Sequence, residues 1–190
     1  SPSKEEVIND SDKGIISIFK ALRDEPKELI DRLKKITYCL EAFESAQLDS
    51  EVEINDYLDK AVNEYVLRRM SRGGMKKVFG WSNRKRGGRP GDLNAWETMI
   101  RQLPVIAARV KNTVILNQQF REIAKIWDDE KALIYLDPPY LPETRTALEV
   151  YDKEMTVEDH IDLLNYARDG RAKIIISGYP SCLYNKHLKG

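Results

Sequence analysis

Residues 132–137 read Ala-Leu-Ile-Tyr-Leu-Asp, and two prolines and a tyrosine follow at once. An almost continuous apolar run of this length predicts a strand buried on both faces of a parallel sheet. The prolines end it. Each fixes its own φ, removes an N–H and pushes the preceding residue out of the helical region. Asp137 therefore stands at the carboxyl end of the strand, at the head of a stiff turn, Asp137-Pro138-Pro139-Tyr140. A second apolar run, Ala172 to Ser177, predicts another buried strand. Between them, Thr156 and Asp159 open a helical pattern with Val157, Ile161 and Leu164 aligned. Strand, helix and strand in this order argue for an α/β, doubly wound sheet, where ligands bind beyond the carboxyl ends of the strands.

The upstream half carries weaker versions of the same signals. Glu6 to Asp10 reads as a short strand ending in a polar turn, and Thr113 to Leu116 as another. Ile15, Phe19 and Leu22 recur at helical spacing. Pro26 suits the first turn of a second helix, whose stripe runs Leu29, Leu33, Ile36, Leu40 and Phe43. Ser50 and Glu53 have capping-box spacing and predict a third helix bearing Ile54, Leu58, Ala61 and Tyr65. Residues 71–92 are rich in glycine and read as loop or hairpin. Asp92 then opens a helix through Trp96 and Ile100 towards Arg109, with Pro104 expected to kink or break it. A further helix is expected from Gln119 to Trp127.

Composition matters chiefly through its distribution. The net charge is zero, yet Tyr65 to Gly91 holds nine basic residues and no acidic one: Arg68, Arg69, Arg72, Lys76, Lys77, Arg84, Lys85, Arg86 and Arg89. A block of one sign predicts a polyanionic partner for that block, and Phe79 and Trp81 place aromatics amid the charge. A solvated loop around a small aromatic core is the plainer alternative. No apolar run approaches a membrane span, and no secretory pattern is visible, so a cytoplasmic location is expected. Cys39 and Cys182 are far apart and read as reduced thiols. His160 and His187 have no partner at metal or catalytic spacing, and His160 is expected on the exposed side of its helix. Trp96 and Trp127 read as core, while Tyr179 and Tyr184 suit either core or cleft.

The turn at 137–140 suggests a chemistry. A planar exocyclic amine has two N–H groups, and the Asp137 carboxylate and Pro138 carbonyl are two acceptors for them. Held this way, the nitrogen lone pair leaves conjugation with the ring and faces an electrophile. Tyr140 offers an aromatic face on which the ring can stack. A sulfonium methyl donor is already activated, so positioning and electrostatics carry most of the catalysis. A strand-to-loop turn without chemistry is the competing reading.

These segments, in order, resemble the Dam-like, D12-class, adenine-specific DNA methyltransferases, particularly phage-type members. Glu6-Val-Ile-Asn-Asp10 resembles the strand whose acidic end contacts the ribose of S-adenosylmethionine. Leu116-Asn-Gln-Gln-Phe120 resembles the segment whose aromatic residue packs on the cofactor adenine. Leu136 to Tyr140 resembles the catalytic motif, Leu141 to Arg145 with Tyr151 the loop beyond it, and Ile176 to Tyr179 with Leu183-Tyr184 the next strand and helix. The resemblance implies a Rossmann-like sheet and S-adenosyl-L-methionine as methyl donor. It implies that Asp10, Phe120 and Asp137 face the cofactor, and that Asp137, Pro138, Pro139 and Tyr140 bind an adenine flipped out of duplex DNA. It also implies a catalytic domain over 1–61 and 111–190, with a DNA target-recognition insertion at 62–110.

The sequence departs from the family pattern in two places. Gln119 stands where an acidic or small polar residue usually precedes the aromatic one. The glycine-rich cofactor loop and the lysine-containing motif expected before the first strand are not in these 190 residues. The expectation is an internal piece of a longer enzyme, binding cofactor poorly and inactive alone. An RNA guanine-N2 methyltransferase and a non-catalytic DNA-binding remnant are the alternatives, the former disfavoured by the long basic insertion.

Overall fold

The structure is a computed structural model that describes residues 3–82, 84–145 and 154–188. The chain divides into two compact units, Ser1–Asn117 and Gln118–Gly190.

The first unit is mostly helical. A short strand, β1 (Val7–Asn9), leads into four helices, α1 (Lys13–Asp24), α2 (Pro26–Lys35), α3 (Leu40–Ser50) and α4 (Tyr57–Met70). A two-stranded antiparallel hairpin follows, β2 (Lys85–Arg86) and β3 (Arg89–Pro90). Then come α5 (Gly91–Val110) and β4 (Val114–Leu116). β4 returns parallel to β1, with Ile8 opposite Ile115. Local chemistry explains the helix starts. The Asp12 carboxylate caps α1 by accepting from the Gly14 and Ile15 amides at 2.7 and 3.3 Å. Pro26 occupies the first turn of α2, where its missing N–H costs nothing. Leu29, Leu33, Phe43, Met70 and Leu103 form the centre of the core.

Three helical expectations for this unit need correction. The stripe from Leu29 to Phe43 is not one helix: α2 stops at Lys35, Ile36 is extended, and α3 restarts at Leu40. The restart resets the helical phase, which leaves Leu40 45% exposed. Ser50 and Glu53 do not open the next helix. Ser50 is the last residue of α3, its hydroxyl bonded to the Gln47 carbonyl, and Asp56 caps α4 through the Leu58 and Asp59 amides. Finally, α5 runs unbroken through Pro104. Trp96 and Ile100 before the proline, and Leu103, Ala107 and Val110 around and after it, are buried on one stripe, so packing on both sides holds the helix together.

The second unit has α6 (Phe120–Trp127), β5 (Leu133–Leu136), α7 (Val157–Asp169), β6 (Lys173–Ile176) and α8 (Cys182–His187). The capping box predicted at Thr156 and Asp159 is formed in both directions. β5 and β6 pair in parallel across the α7 crossover, from Leu133 opposite Lys173 to Leu136 opposite Ile176. Their burial on two faces is not observed. Leu133, Tyr135 and Ile175 are 66%, 62% and 51% exposed, while Ile134, Leu136, Ile174 and Ile176 are half-buried. Strand residues alternate between faces, and the face bearing Ile176 is the one that packs on Leu164 of α7 and Tyr184 of α8. In α7 the buried residues are His160, Leu163 and Leu164, and Val157 is exposed, so the inward face is turned relative to the predicted one.

The whole is therefore mixed α/β. Parallel pairing and helical crossovers are present, but the strands form two separate parallel pairs among the described residues rather than one continuous sheet. No helix among the described residues is long and apolar enough to cross a membrane.

Candidate functional site

The turn at 137–140 lies at the carboxyl end of β5, as its sequence predicts. Asp137 is exposed, Pro138 buried, and Pro139 and Tyr140 half-buried. The next residue, Leu141, is 6% exposed and packs with Leu164 and Tyr184. Its carbonyl accepts from the Thr144 amide and hydroxyl at 2.9 and 2.8 Å, which closes a short turn over residues 142–144. The stiff turn is thus anchored on an apolar plug, with its carboxylate and its aromatic ring left towards the surface. Beyond it, the Arg145 guanidinium makes a two-pronged pair with Glu154 at 2.9 and 2.8 Å. Tyr151 lies outside the described residues.

β6 brings a second segment alongside. The Ser177 hydroxyl donates to Asp137 Oδ1, and the Ser177 amide continues the ladder to the Leu136 carbonyl at 3.0 Å. The Tyr140 and Tyr179 rings meet in a T-shaped contact, with centroids 5.1 Å apart and planes at 77°. Behind them, Tyr184 is buried and its hydroxyl lies 3.1 Å from His160 Nδ1. His160 is 1% exposed, not on the solvent side of α7 as expected. The inward face of α7 is centred on His160, Leu163 and Leu164, and the Tyr184 hydroxyl gives the imidazole a polar partner inside. Burial lowers the His160 pKa and raises that of Tyr184.

Of the three residues expected at the cofactor, Asp10 belongs to the first unit, and Phe120 and Asp137 belong to the second. Asp10 follows β1 and is half-buried; its Oδ1 accepts from the Asp12 amide at 2.7 Å, and its carbonyl accepts from Asn117 Nδ2 at 2.7 Å. Phe120 opens α6, half-buried, with the Arg121 guanidinium 5.4 Å from its ring centroid. Arg121 is in turn held by Asp159 and Asp162. Taken singly, a carboxylate at a strand end has the chemistry to accept from a ribose diol, and an aromatic face is of the kind on which an adenine packs.

The nine basic side chains have different surroundings. Arg68 is clamped inside the first unit, 2.6 Å from both Glu64 and Asp12. Lys76 reaches the same Glu64 at 3.3 Å. Arg89 pairs with Glu97 at 2.7 and 3.0 Å. Arg69, Arg72, Lys77, Arg84 and Lys85 are exposed, and the Arg86 side chain lies outside the described set. Gly87 and Gly88 form the hairpin tip with φ of 60° and 79°, values that favour glycine at both positions. Phe79 packs between Tyr38 and Phe43, with centroids 5.4 and 5.8 Å away, and stacks under Trp81, which is 51% exposed. Tyr38, whose hydroxyl donates to the Gly80 carbonyl at 2.5 Å, has its pKa pushed up to about 12 by burial.

The family model of the D12 class N6 adenine-specific DNA methyltransferases matches residues 2–187 of the 190. The chain belongs to this family. No curated protein matches it. Membership of the D12 class makes DNA the substrate and adenine N6 methylation the general activity. Enzymes of this class generally take the methyl group from S-adenosylmethionine.

Within this D12-class chain, sequence reasoning passed over Ser177 and the buried His160–Tyr184 pair. A signal for Ser177 was present. Aligning the two parallel strands by their apolar runs puts Ser177 after Ile176 where Asp137 follows Leu136. For His160 the nearest signal was Leu163 and Leu164, whose burial carries the residue one turn earlier inward.

Proposed function

We propose that the protein is a site-specific methyltransferase that acts on an adenine flipped out of duplex DNA, using S-adenosylmethionine. The observation that carries this is the anchored turn at the end of β5, with an exposed Asp137 carboxylate and a Tyr140 ring on a buried support. Asp137 accepts one N6–H of the adenine and the Pro138 carbonyl accepts the other, which directs the nitrogen lone pair out of the ring plane. Tyr140 stacks on the extruded base and offsets part of the cost of unstacking it. Pro139 keeps the turn from relaxing. S-adenosylmethionine, when bound, supplies an activated methyl group. Asp10 would accept from the ribose hydroxyls of that cofactor, Phe120 would face its adenine, and Asp137 would be the third residue to face it. The amine sheds one proton as it is methylated, and the exposed Asp137 carboxylate hands it to solvent.

Residues 62–110 serve target recognition in this reading, within a Rossmann-like methyltransferase built from 1–61 and 111–190. Arg69, Arg72, Lys77, Arg84, Lys85 and Arg86 neutralise phosphates, while Arg68, Lys76 and Arg89 brace the segment through their carboxylate partners. The test is methyl transfer by the full-length protein from labelled S-adenosylmethionine to duplex DNA. Label is expected on adenine N6 and is expected to vanish in Asp137→Ala. Label on cytosine, or on guanine in RNA, would refute the assignment.

A further inference from the structure

An exposed carboxylate is free to swing about its terminal torsion, which is broad and roughly two-fold. Asp137 is exposed, yet it is tied down. The parallel register sets Leu136 opposite Ile176, so the next residues, Asp137 and Ser177, leave their strands side by side. The Ser177 hydroxyl donates to Oδ1, which takes one acceptor site and leaves Oδ2 available to a second donor. Two residues on, Tyr179 meets the Tyr140 ring at close to a right angle. The segment that delivers both contacts is itself braced: a Cβ on Gly178 would lie 3.3 Å from Cε1 of the buried Tyr184. Both groups assigned to the adenine, the carboxylate and the ring, are thus each restrained by a residue from the end of β6.

We propose that Ser177 and Tyr179 are positioning residues for the target base. Ser177 fixes the carboxylate plane of Asp137 so that Oδ2 meets the amine, and Tyr179 fixes the Tyr140 ring on which the base stacks. The inference rests on the reading of residues 137–140 as the adenine-binding turn. It adds a second strand end to the acceptor site and assigns it no contact with cofactor.

The deciding experiment compares Ser177→Thr with Ser177→Val in the full-length protein, using labelled S-adenosylmethionine and duplex DNA. The two side chains are nearly isosteric and differ in the hydroxyl, so a merely structural role would move both alike. Losing a hydrogen bond to a charged group corresponds to about a 10- to 100-fold loss of rate. That loss is expected in kcat for Val, with the KM for S-adenosylmethionine unchanged, while Thr stays near wild type. Tyr179→Phe, which keeps the ring, is expected to retain kcat, and Tyr179→Ala to lower it about 10-fold. Equal kcat in the Thr and Val variants, or a rise in cofactor KM alone, overturns the positioning role. If wild type methylates adenine and Asp137→Ala does not, that outcome leaves the adenine assignment standing. A wild type that labels another base overturns both.

Discussion

Burial holds the His160 imidazole below its ordinary value near 6.5; Asp159 opposes the shift, Arg145 adds to it, and Glu154 opposes it. The sign of the effect on stability follows. Folded protein keeps His160 neutral, while unfolded chain takes up a proton as the pH falls through 6.5. Its contribution is therefore complete above that value and is lost as pH falls towards the folded-state pKa. Chemical unfolding between pH 7.5 and 5.5 should show stability falling by up to about 1.4 kcal/mol per pH unit. His160→Gln, which keeps a polar group but cannot titrate, should flatten that slope. An unchanged slope would assign the pH dependence to other groups. Such a residue is hard to find in sequence, because a lone histidine four residues from a helix cap carries no periodic signal of its own. Asp137 was legible for the opposite reason: its neighbours are two prolines and an apolar strand, each of which restricts the backbone by itself.

Helix α1 crosses α4 at Gly14, where an added Cβ would sit 2.4 Å from Glu64 Cδ. Glu64 cannot simply swing aside, because Arg68 and Lys76 hold its carboxylate at 2.6 and 3.3 Å. Gly14→Ala should therefore destabilise the protein by about 1–3 kcal/mol, the range for overpacking a tight site. A thermal melt checks this; an unaltered midpoint would show that the ion network gives way without cost. The elements whose start is set by one strong local group were readable: Pro26 at α2, the Thr156 capping box at α7, and the apolar runs of β5 and β6. Where two local signals compete, sequence alone chose badly. Asp56 outbid Ser50 as a cap because its carboxylate meets two amides, and Pro104 was overridden by the buried stripe around it. The single-sided burial of β5 and β6 was not legible either. Isoleucine and leucine on both faces look the same whether or not a helix covers each face.

At the scale of the chain, zero net charge conceals a separation in which one 27-residue stretch, Tyr65 to Gly91, carries all nine of its charges as positive. Among the described residues of the stretch, Arg68, Lys76 and Arg89 pair with carboxylates, and the side chains of Arg69, Arg72, Lys77, Arg84 and Lys85 are exposed. Replacing Arg84, Lys85 and Arg86 together by alanine should weaken duplex binding and reduce the slope of log K against log salt by up to about 2.7, if each meets a phosphate. A titration of fluorescent duplex at several salt concentrations measures it, and an unaltered slope would show these side chains to be solvated only. The Arg145–Glu154 pair has a different kind of consequence. Together with Leu141, which packs on Leu164, it attaches the chain beyond Tyr140 at two points, one apolar and buried, the other ionic and beside the Thr156 cap of α7, so that loss of either attachment leaves the other in place.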